Sequence, residues 1–343
     1  MTSKDNAVVH SKGAPVHAIE LPANQPADRF YAGGARISAF RGESPSPTMT
    51  PEDWIASTTS IRDYAPAGLT RLPSGELLTE AIDRDPIGWL GQPHIEKYGT
   101  DTKLLVKLLD AGQRLPVHAH PGAKFAREHL GAEHGKAEAW YILAPGTVHL
   151  GLTRDVTSEE LNALVQSQRA GSLLDLTHAV QVEPHDTVFV PTGLMHAIGE
   201  GVILAEVQEP EDLSILLEWE GYALDGLAEG HLGLGFDIAL AAIDRRGYTR
   251  EAIEALVTRK VQSGPALVDS STEFFRLDRV VAATRFKAGF AVVIVLDGVV
   301  ELTDSTGSVQ CFRPGSTVVV PAAAGAFTLA GGVALVARPP LAS

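Results

Sequence analysis

The residues of this chain best suited to chemistry are three histidines and a glutamate at spacings that metal ligands commonly use. His118 and His120 stand two apart in LPVHAHP, Glu138 follows Lys136 by two residues in GKAEAW, and His196 ends PTGLMH. Side chains two apart on a strand point to one face, so each pair would project into a common interior. Imidazole and carboxylate groups suit zinc or another first-row divalent ion. The sequence therefore predicts a metal site made of His118, His120, Glu138 and His196.

Short apolar segments carry these residues, and their pattern predicts strands. TKLLVKLLDAG, GKAEAWYILAPG, HDTVFVPTG and GVILAEVQEP contain Val or Ile and have Gly or Pro at their ends. Segments of this length at close spacing are typical of a β-sandwich or barrel. Helical patterns are local insertions, as in TSEELNALVQSQ and DIALAAIDRRGYTREAIEALVTRK. We therefore predict a mostly β protein with helical insertions.

The chain is long enough for two domains, because 343 residues exceed the usual domain size. HDTVFVPTGLMHAI and PGSTVVVPAAAGAFTL both place an apolar strand before a proline, which indicates a duplicated unit. His196 follows Pro191 by five residues, whereas Ala326 holds the same place after Pro321, and no histidine occurs beyond His231. We predict a metal-binding N-terminal unit at 1–230, a helical connector at 231–262 and a degenerate C-terminal unit at 263–343.

Charge and composition argue against several classes of partner. The net charge is −14 and no cluster of Lys and Arg occurs, so a nucleic-acid partner is not expected. No apolar run approaches the roughly 20 residues of a membrane span, and the polar start MTSKDNAVVHSKGAP lacks the apolar core of an export signal. Cys311 is the single cysteine, which fits a reducing compartment. We expect a cytoplasmic monomer or homodimer that binds neither nucleic acid nor membrane.

The two histidine segments resemble the motifs of the cupin superfamily. GQRLPVHAHP places five residues between Gly and His-x-His, and HDTVFVPTGLMH ends in Pro-x-Gly-x-x-His. The insertion PGAKFAREHLGAEHG delays the glutamate, and it resembles class I mannose-6-phosphate isomerases, as do DTKLLVKLLDAGQRLPVHAHP, GKAEAWYIL, VFVPTGLMHAIGEGVILAEVQE and, more faintly, PEDWIASTTSIRDYAPAGLTRLPSGELLTEAI. The resemblance keeps its order over most of the chain and implies a mostly β fold of two jelly-roll cupin units.

This resemblance also implies a ligand set. It makes His120, Glu138 and His196 metal ligands, and it places His118 where the family usually has glutamine, a departure that should still coordinate. Zinc is the metal that we expect first, with manganese, iron, cobalt and nickel as alternatives. No nucleotide cofactor is expected, because HLGLGF has neither a preceding strand nor a third glycine.

Three further residues are candidates for catalysis. Lys107 in LLVKLL and Lys136 in GKAE match lysines that the family keeps at its active site. A lysine inside an apolar strand is costly unless it faces a polar cavity or pairs with a carboxylate, so Lys107 is unusual for a strand residue. Glu206, which shares a face of GVILAEVQEP with Gln208, is a weaker candidate for proton transfer than Lys136. The sequence leaves the choice between Lys136 and Glu206 open.

Two departures from the family bear on the substrate. Pro116 stands where the family has a serine that helps hold phosphate, and EDLSILLEWEGY has no arginine where the family carries one in YR-x-YD. Arginine is well suited to bidentate phosphate binding, so another basic residue, such as Arg276, would have to replace it.

The family activity would be metal-dependent interconversion of mannose 6-phosphate and fructose 6-phosphate through a cis-enediol. The alternatives are an isomerase of a different or unphosphorylated sugar, and a non-catalytic, metal-bearing cupin that binds carbohydrate. In each case the partner is a small sugar or sugar phosphate.

Overall fold

A computed structural model describes residues 13–342, and it is built mainly from antiparallel sheets. The predicted mostly β fold is confirmed. The start of the chain, whose polar residues argued against an export signal, lies largely outside the described residues, at 1–12. None of the described helices is long and apolar enough to cross a membrane.

The described strands are short, with the exception of two long ones near the C-terminus. In chain order they are β1 (Ile19–Glu20), β2 (Glu52–Ile55), β3 (Leu105–Asp110), β4 (His118–Ala119), β5 (Glu138–Ala144), β6 (Gly146–Leu152), β7 (Thr177–Val182), β8 (Thr187–Val190), β9 (His196–Ile198), β10 (Ile203–Gln208), β11 (Ile215–Leu216), β12 (Val257–Thr258), β13 (Gly264–Pro265), β14 (Arg276–Val280), β15 (Thr284–Phe286), β16 (Ala291–Thr303), β17 (Val309–Phe312), β18 (Thr317–Val320) and β19 (Phe327–Arg338).

The described helices have nine residues or fewer and connect or cover the strands. They are α1 (Ala35–Arg41), α2 (Leu78–Arg84), α3 (Pro86–Leu90), α4 (Gln92–Tyr98), α5 (Ala123–Leu130), α6 (Ser158–Gln166), α7 (Ala170–Asp175), α8 (Gly226–Glu229), α9 (Phe236–Ala239) and α10 (Arg250–Glu254). The predicted helix in TSEELNALVQSQ is α6, and the Thr157 side chain accepts the Glu160 N–H at its first turn. The predicted helical pair near 237–260 is α9 and α10, which are much shorter than the pattern indicated.

Two sheets form the first sandwich. One has the order β12-β8-β5-β10-β3-β2 and the other has the order β11-β4-β9-β6-β7. Trp140 and Ile142 from the first sheet pack with Val148, Leu150 and Val180 from the second in one buried core. Burial of this apolar surface holds the two sheets together, and the metal-ligand candidates lie on strands of both sheets.

A third sheet forms the C-terminal part of the fold. Its strand order is β1-β18-β16-β19-β14-β13, with β15 added to β19 and β17 added to β16. Register shifts in the β16–β19 pair between Val295 and Val300 bend the long strands, which helps enclose a second apolar core. β1 comes from the start of the chain and pairs with β18, so residues 19–20 complete the C-terminal sheet. The division at 1–230, 231–262 and 263–343 stays a prediction.

The two β parts share an apolar interface. Val106 and Val207 of the six-stranded sheet belong to the same buried cluster as Leu277, Val292 and Leu335 of the C-terminal sheet. This contact covers the outer face of the six-stranded sheet. On the other face of this sheet, Lys107 of β3, Glu138 of β5 and Glu206 of β10 line a cavity.

Candidate metal centre and active site

Two short neighbouring strands, β4 and β9, place the three histidines. His118 begins β4, His196 begins β9, and the two residues are directly opposite each other in the antiparallel pair β4–β9. The turn before β9 contains Gly193, which has a φ of 81° that glycine adopts without strain. The Gly193 N–H donates to the His120 carbonyl at 2.7 Å, so the two histidine motifs are joined by a backbone hydrogen bond.

Glu138 begins β5 and faces the histidines. Its Oε2 lies 3.0 Å from Nε2 of His120, and its Oε1 lies 3.3 Å from Nε2 of His196. One ring nitrogen from each of His118, His120 and His196 lies within 4.8 Å of the other two. All four side chains are buried. The structure therefore brings together the four residues that the sequence proposed as a ligand set.

Hydrogen bonds to backbone carbonyls define the tautomers of the three histidines. Nδ1 of His118 lies 2.8 Å from the Pro116 carbonyl, Nδ1 of His120 lies 2.7 Å from the Leu213 carbonyl, and Nδ1 of His196 lies 2.8 Å from the Leu194 carbonyl. A carbonyl oxygen can only accept, so each Nδ1 must carry the proton. Each Nε2 is then unprotonated, the form in which imidazole binds a metal.

Two buried acceptor atoms of the cluster are poorly satisfied. Within the described residues Nε2 of His196 accepts no hydrogen bond, and the cation near Oε2 of Glu138 is the Lys136 ammonium at 3.1 Å. Buried acceptors that face one another are unfavourable unless a cation or proton lies between them. The donor set of three neutral imidazoles and one carboxylate therefore fits a divalent ion of the zinc type.

The charge states of these candidate ligands also suit a divalent ion. Burial and the neighbouring His196 lower the pKa of His118 well below its ordinary value, and burial and the Lys136 charge lower the pKa of His120 to about 3. Burial alone would raise the pKa of Glu138, but Lys136 and His120 outweigh it and hold that pKa well below 4.5. Metal binding needs neutral imidazole and ionised carboxylate, and the site holds both.

Lys136 lies beside the ligands. Its Nζ is 3.1 Å from Oε2 of Glu138 and 3.1 Å from Nε2 of His120. Burial would lower the pKa of Lys136, but the carboxylates of Glu138, Glu206 and Asp212 raise it above its ordinary value. Lys136 is therefore held as an ammonium group that can donate hydrogen bonds into the site.

Lys107 and Glu206 form the adjacent wall and stand directly opposite each other on β3 and β10. The Lys107 Nζ lies 3.7 Å from Oε2 of Glu206 and 4.4 Å from the centre of the Trp54 ring. Burial and the Glu138 charge raise the pKa of Glu206 to about 7, although Lys107 opposes the shift. The buried lysine of LLVKLL thus pairs with carboxylates, as the cost of its burial required.

Glu52 belongs to this wall and was not proposed from the sequence. It accepts hydrogen bonds from the Tyr31 hydroxyl and the Trp54 indole, each at 2.7 Å, and lies 3.5 Å from Lys107. Burial would raise the pKa of Glu52, but the charges of Arg29 and Lys107 hold it well below its ordinary value. Glu52 stands two residues before Trp54 in the short segment PEDWIA, so the two side chains share one face of a strand. A carboxylate beside a buried tryptophan is the signal that could have identified Glu52.

A cavity of about 930 Å³ opens above these groups. Its lining includes His118, Glu138, Lys107, Lys136 and Glu206. The volume is in the range of small-molecule sites, which run from about 300 to 1,000 Å³. A sugar-sized ligand could therefore contact the candidate metal ligands and both lysines together.

The departures noted in the sequence lie in the same cavity. Pro116 and Leu216 line it, and Leu216 belongs to the segment that lacks an arginine. Arg276 does not line it; its Nε donates to the Pro339 carbonyl near the C-terminus. The arginines that line the cavity are Arg29 and Arg62, and neither was singled out from the sequence.

Comparison with known proteins gives sequence relatives of one kind. Mannose-6-phosphate isomerase ManA of Bacillus subtilis (strain 168) is 35% identical over 162 residues, which are 45% of this chain and 50% of that protein. The mannose-6-phosphate isomerase of Streptococcus mutans is 32% identical over 190 residues, which are 54% of this chain and 55% of that protein. The chain thus spans about half the length of the curated relatives that it matches. No protein-family model matches it.

Solved structures extend the likeness to nearly the whole fold. The mannose 6-phosphate isomerase from Bacillus subtilis aligns with a TM-score of 0.68 at 22% identity, covering 93% of this chain and 98% of that one. The apo form of mannose 6-phosphate isomerase from Salmonella typhimurium aligns with a TM-score of 0.72 at 15% identity, covering 94% and 99%. These alignments show the shared fold. Together with the sequence relatives, they confirm the predicted resemblance to the mannose-6-phosphate isomerases and the cupin-type fold that it implied.

Proposed function

We propose that this protein is a metal-dependent aldose–ketose isomerase that interconverts mannose 6-phosphate and fructose 6-phosphate. The observation that carries the proposal is the convergence of three unprotonated imidazole nitrogens and the Glu138 carboxylate beside a sugar-sized cavity with two buried lysines. The named relatives act on the same sugar phosphate according to their names, and this agreement supports the substrate.

The proposed ion is divalent, and zinc is the first candidate because the donor set is rich in imidazole. His118, His120, Glu138 and His196 would hold it. When bound, such an ion supplies Lewis-acid polarisation of the sugar carbonyl, which lowers the cost of removing a proton from the neighbouring carbon.

The charged side chains around the cavity divide into donors and an acceptor. Lys136 lies beside the Glu138 carboxylate and Lys107 beside the Glu52 carboxylate, so both amino groups are fixed where they can orient sugar oxygens and stabilise the negative charge of an enediolate. The Glu206 carboxylate lies next to Lys107 and faces the cavity, which makes it a candidate for accepting the carbon-bound proton. We propose that Glu206 carries the proton between C1 and C2 and that Lys136 stabilises the charge.

The proposal also covers the partners, the cellular location and the oligomeric state of the protein. The acidic chain, with a net charge of −14, lacks the basic surface of a nucleic-acid binder. A cytoplasmic location and a monomeric or homodimeric state suit an enzyme of this kind with a single cysteine.

The test is a coupled assay with purified, metal-analysed protein. Mannose 6-phosphate and fructose 6-phosphate are offered in separate reactions beside unphosphorylated mannose and fructose, each with and without a chelator. The proposal expects chelator-sensitive turnover of both phosphosugars. Turnover of the free sugars alone would indicate an isomerase of a different substrate, and turnover of none would favour a carbohydrate-binding cupin.

A further inference from the structure

The cavity wall away from the metal-ligand candidates carries two arginines from the first quarter of the chain. Arg29 precedes β2, and Arg62 lies in the loop that follows it. The Arg29 side chain is 12% exposed and that of Arg62 is 37% exposed, and both line the 930 Å³ cavity. Arginine forms a planar fork of donors that matches a phosphate group.

The cations of the cavity differ in how well carboxylates within the protein neutralise them. Lys136 lies 3.1 Å from buried Glu138, and Lys107 lies 3.5 Å from buried Glu52. Arg62 pairs instead with Asp63 at 3.8 Å, and the Asp63 side chain is 84% exposed. Such a pair is worth little in water, so the Arg62 guanidinium is the cavity cation most available to an incoming anion.

Carboxylates neutralise Arg29 less than they neutralise the two lysines but more than they neutralise Arg62. It lies 3.4 Å from Glu52, which also serves Lys107, and its Nε is buried without an acceptor among the described residues. Glu52 therefore shares its charge between two cations. Arg29 can contribute positive charge to the wall beside Arg62 even though its side chain is mostly covered.

The backbone around Arg62 is held in place. The Arg62 N–H donates to Oδ2 of Asp212 at 3.2 Å, and the Thr59 hydroxyl donates to the Pro210 carbonyl at 3.0 Å. These bonds join the loop to the segment that leads into β11, where Leu216 lines the cavity. Asp212 lines the same cavity as Lys136 and Glu138, so the anchored loop borders the cavity that contains the metal-ligand candidates.

The carboxylates that line the cavity repel an anion. Asp28, Asp63, Asp212 and Glu229 all line it. A dianion would therefore be repelled by most of the wall, and Arg29 and Arg62 are the guanidinium groups in the lining that could accept it. This arrangement would select the orientation of a substrate that has a carbonyl at one end and a phosphate at the other.

We propose that Arg62, supported by Arg29, binds the phosphate group of the substrate and so determines its specificity for a phosphorylated sugar. The inference rests on the proposed function and deepens it by naming the residue that recognises the anion. The phosphate end lies against the loop after β2, and the sugar carbonyl points to the histidine cluster.

The experiment compares metal-loaded wild type with Arg62→Ala, Arg62→Lys and a matched control, Arg285→Ala, which removes an exposed arginine from β15. Steady-state kinetics are measured with mannose 6-phosphate, and binding of inorganic phosphate is measured by calorimetry. Arg62→Ala should raise KM about 10- to 100-fold with little change in kcat, because one charge-assisted contact to the phosphate is lost. It should weaken phosphate binding to a similar extent. Arg62→Lys should recover part of both, and Arg285→Ala should change neither.

Two results separate failure of this inference from failure of the proposed function. If wild type isomerises mannose 6-phosphate and Arg62→Ala keeps both its KM and its phosphate affinity, Arg62 does not bind the phosphate and the inference is wrong. If wild type turns over no phosphosugar, the proposed isomerase activity is wrong. In that case calorimetry still decides the anion site, since phosphate binding that depends on Arg62 supports it and absence of binding overturns it.

Discussion

Lys107 and Glu52 form a buried ion pair between neighbouring strands, with Nζ and Oε2 3.5 Å apart and side chains only 3% and 6% exposed. Glu52 lies on β2 and Lys107 on β3, where Lys107 is opposite Trp54 in the strand register. The carboxylate is further held by the Tyr31 hydroxyl and the Trp54 indole. The lysine is therefore fixed in the cavity wall by a partner that arrives from more than 50 residues earlier in the chain.

Glu52→Gln should destabilise the protein by about 3 kcal/mol or more, because it leaves the Lys107 and Arg29 charges buried with less compensation. The substitution keeps the size of the side chain, so packing is not the cause. Urea unfolding at neutral pH measures the effect. The control is Glu301→Gln on β16, an exposed position that should stay within about 0.5 kcal/mol of wild type. Equal stability of wild type and Glu52→Gln would show that the ion pair contributes nothing net.

The stability difference between wild type and Glu52→Gln should depend on pH. The folded-state pKa of Glu52 is held below the ordinary value of 4.5, so its carboxylate stabilises the fold fully above that value. As pH falls below 4.5, the unfolded chain takes up a proton at Glu52 before the folded chain does, and the contribution declines. Urea unfolding of both proteins at neutral pH and at about pH 3.5 should show a smaller difference at the lower pH. A difference of the same size at both pH values would contradict the depressed pKa.

The metal-ligand set could be predicted from the sequence because each part of it is local. His118 and His120 share a short segment, Lys136 and Glu138 share another, and the glycine turn before His196 is a recognisable motif. Lys107 could be singled out because a charge within an apolar strand needs a partner. Its partner, Glu52, could not be identified from the local sequence, because the pairing of β2 with β3 brings the two residues together.

The sequence did not allow us to predict which residues reach the cavity from distant segments of the chain. Arg62 is placed by a hydrogen bond to Asp212, which is 150 residues away in the chain. Arg276 is a candidate from the sequence for the missing arginine, but its side chain donates to the Pro339 carbonyl instead. The pairing of β1 with the C-terminal sheet is a long-range contact of the same kind. Loops and chain ends are positioned by such contacts more than by local pattern.

Lys136→Met should lower kcat for mannose 6-phosphate by about 100-fold or more while the metal is retained, because a charged donor next to the reacting atoms is lost. The ligands His120 and Glu138 remain in place. Kinetics and metal analysis on the same preparation provide the measurement. Lys124→Met is the matched control, since that lysine on α5 has an 84% exposed side chain and should leave kcat unchanged. A kcat equal to that of wild type would remove Lys136 from catalysis.

Glu206→Gln should lower kcat by about 100- to 10,000-fold and should stop exchange of the carbon-bound substrate proton with solvent deuterium, because the proton acceptor is removed. The amide is close in size to the carboxyl group, so the cavity should keep its shape. Nuclear magnetic resonance of the sugar phosphate in deuterated buffer follows the exchange. If Glu206→Gln exchanges at the wild-type rate while Lys136→Met does not, the roles that we assign to these two residues are reversed.

We propose that the histidine cluster and Glu138 hold one divalent ion on which isomerase activity depends. The most direct measurement is metal content per chain, by mass spectrometry after dialysis, in wild type, in the double variant His120→Ala/His196→Ala and in His129→Ala, an exposed control on α5. We expect about one ion per chain in wild type and in the control, and almost none in the double variant. Full metal content in the double variant would contradict the site.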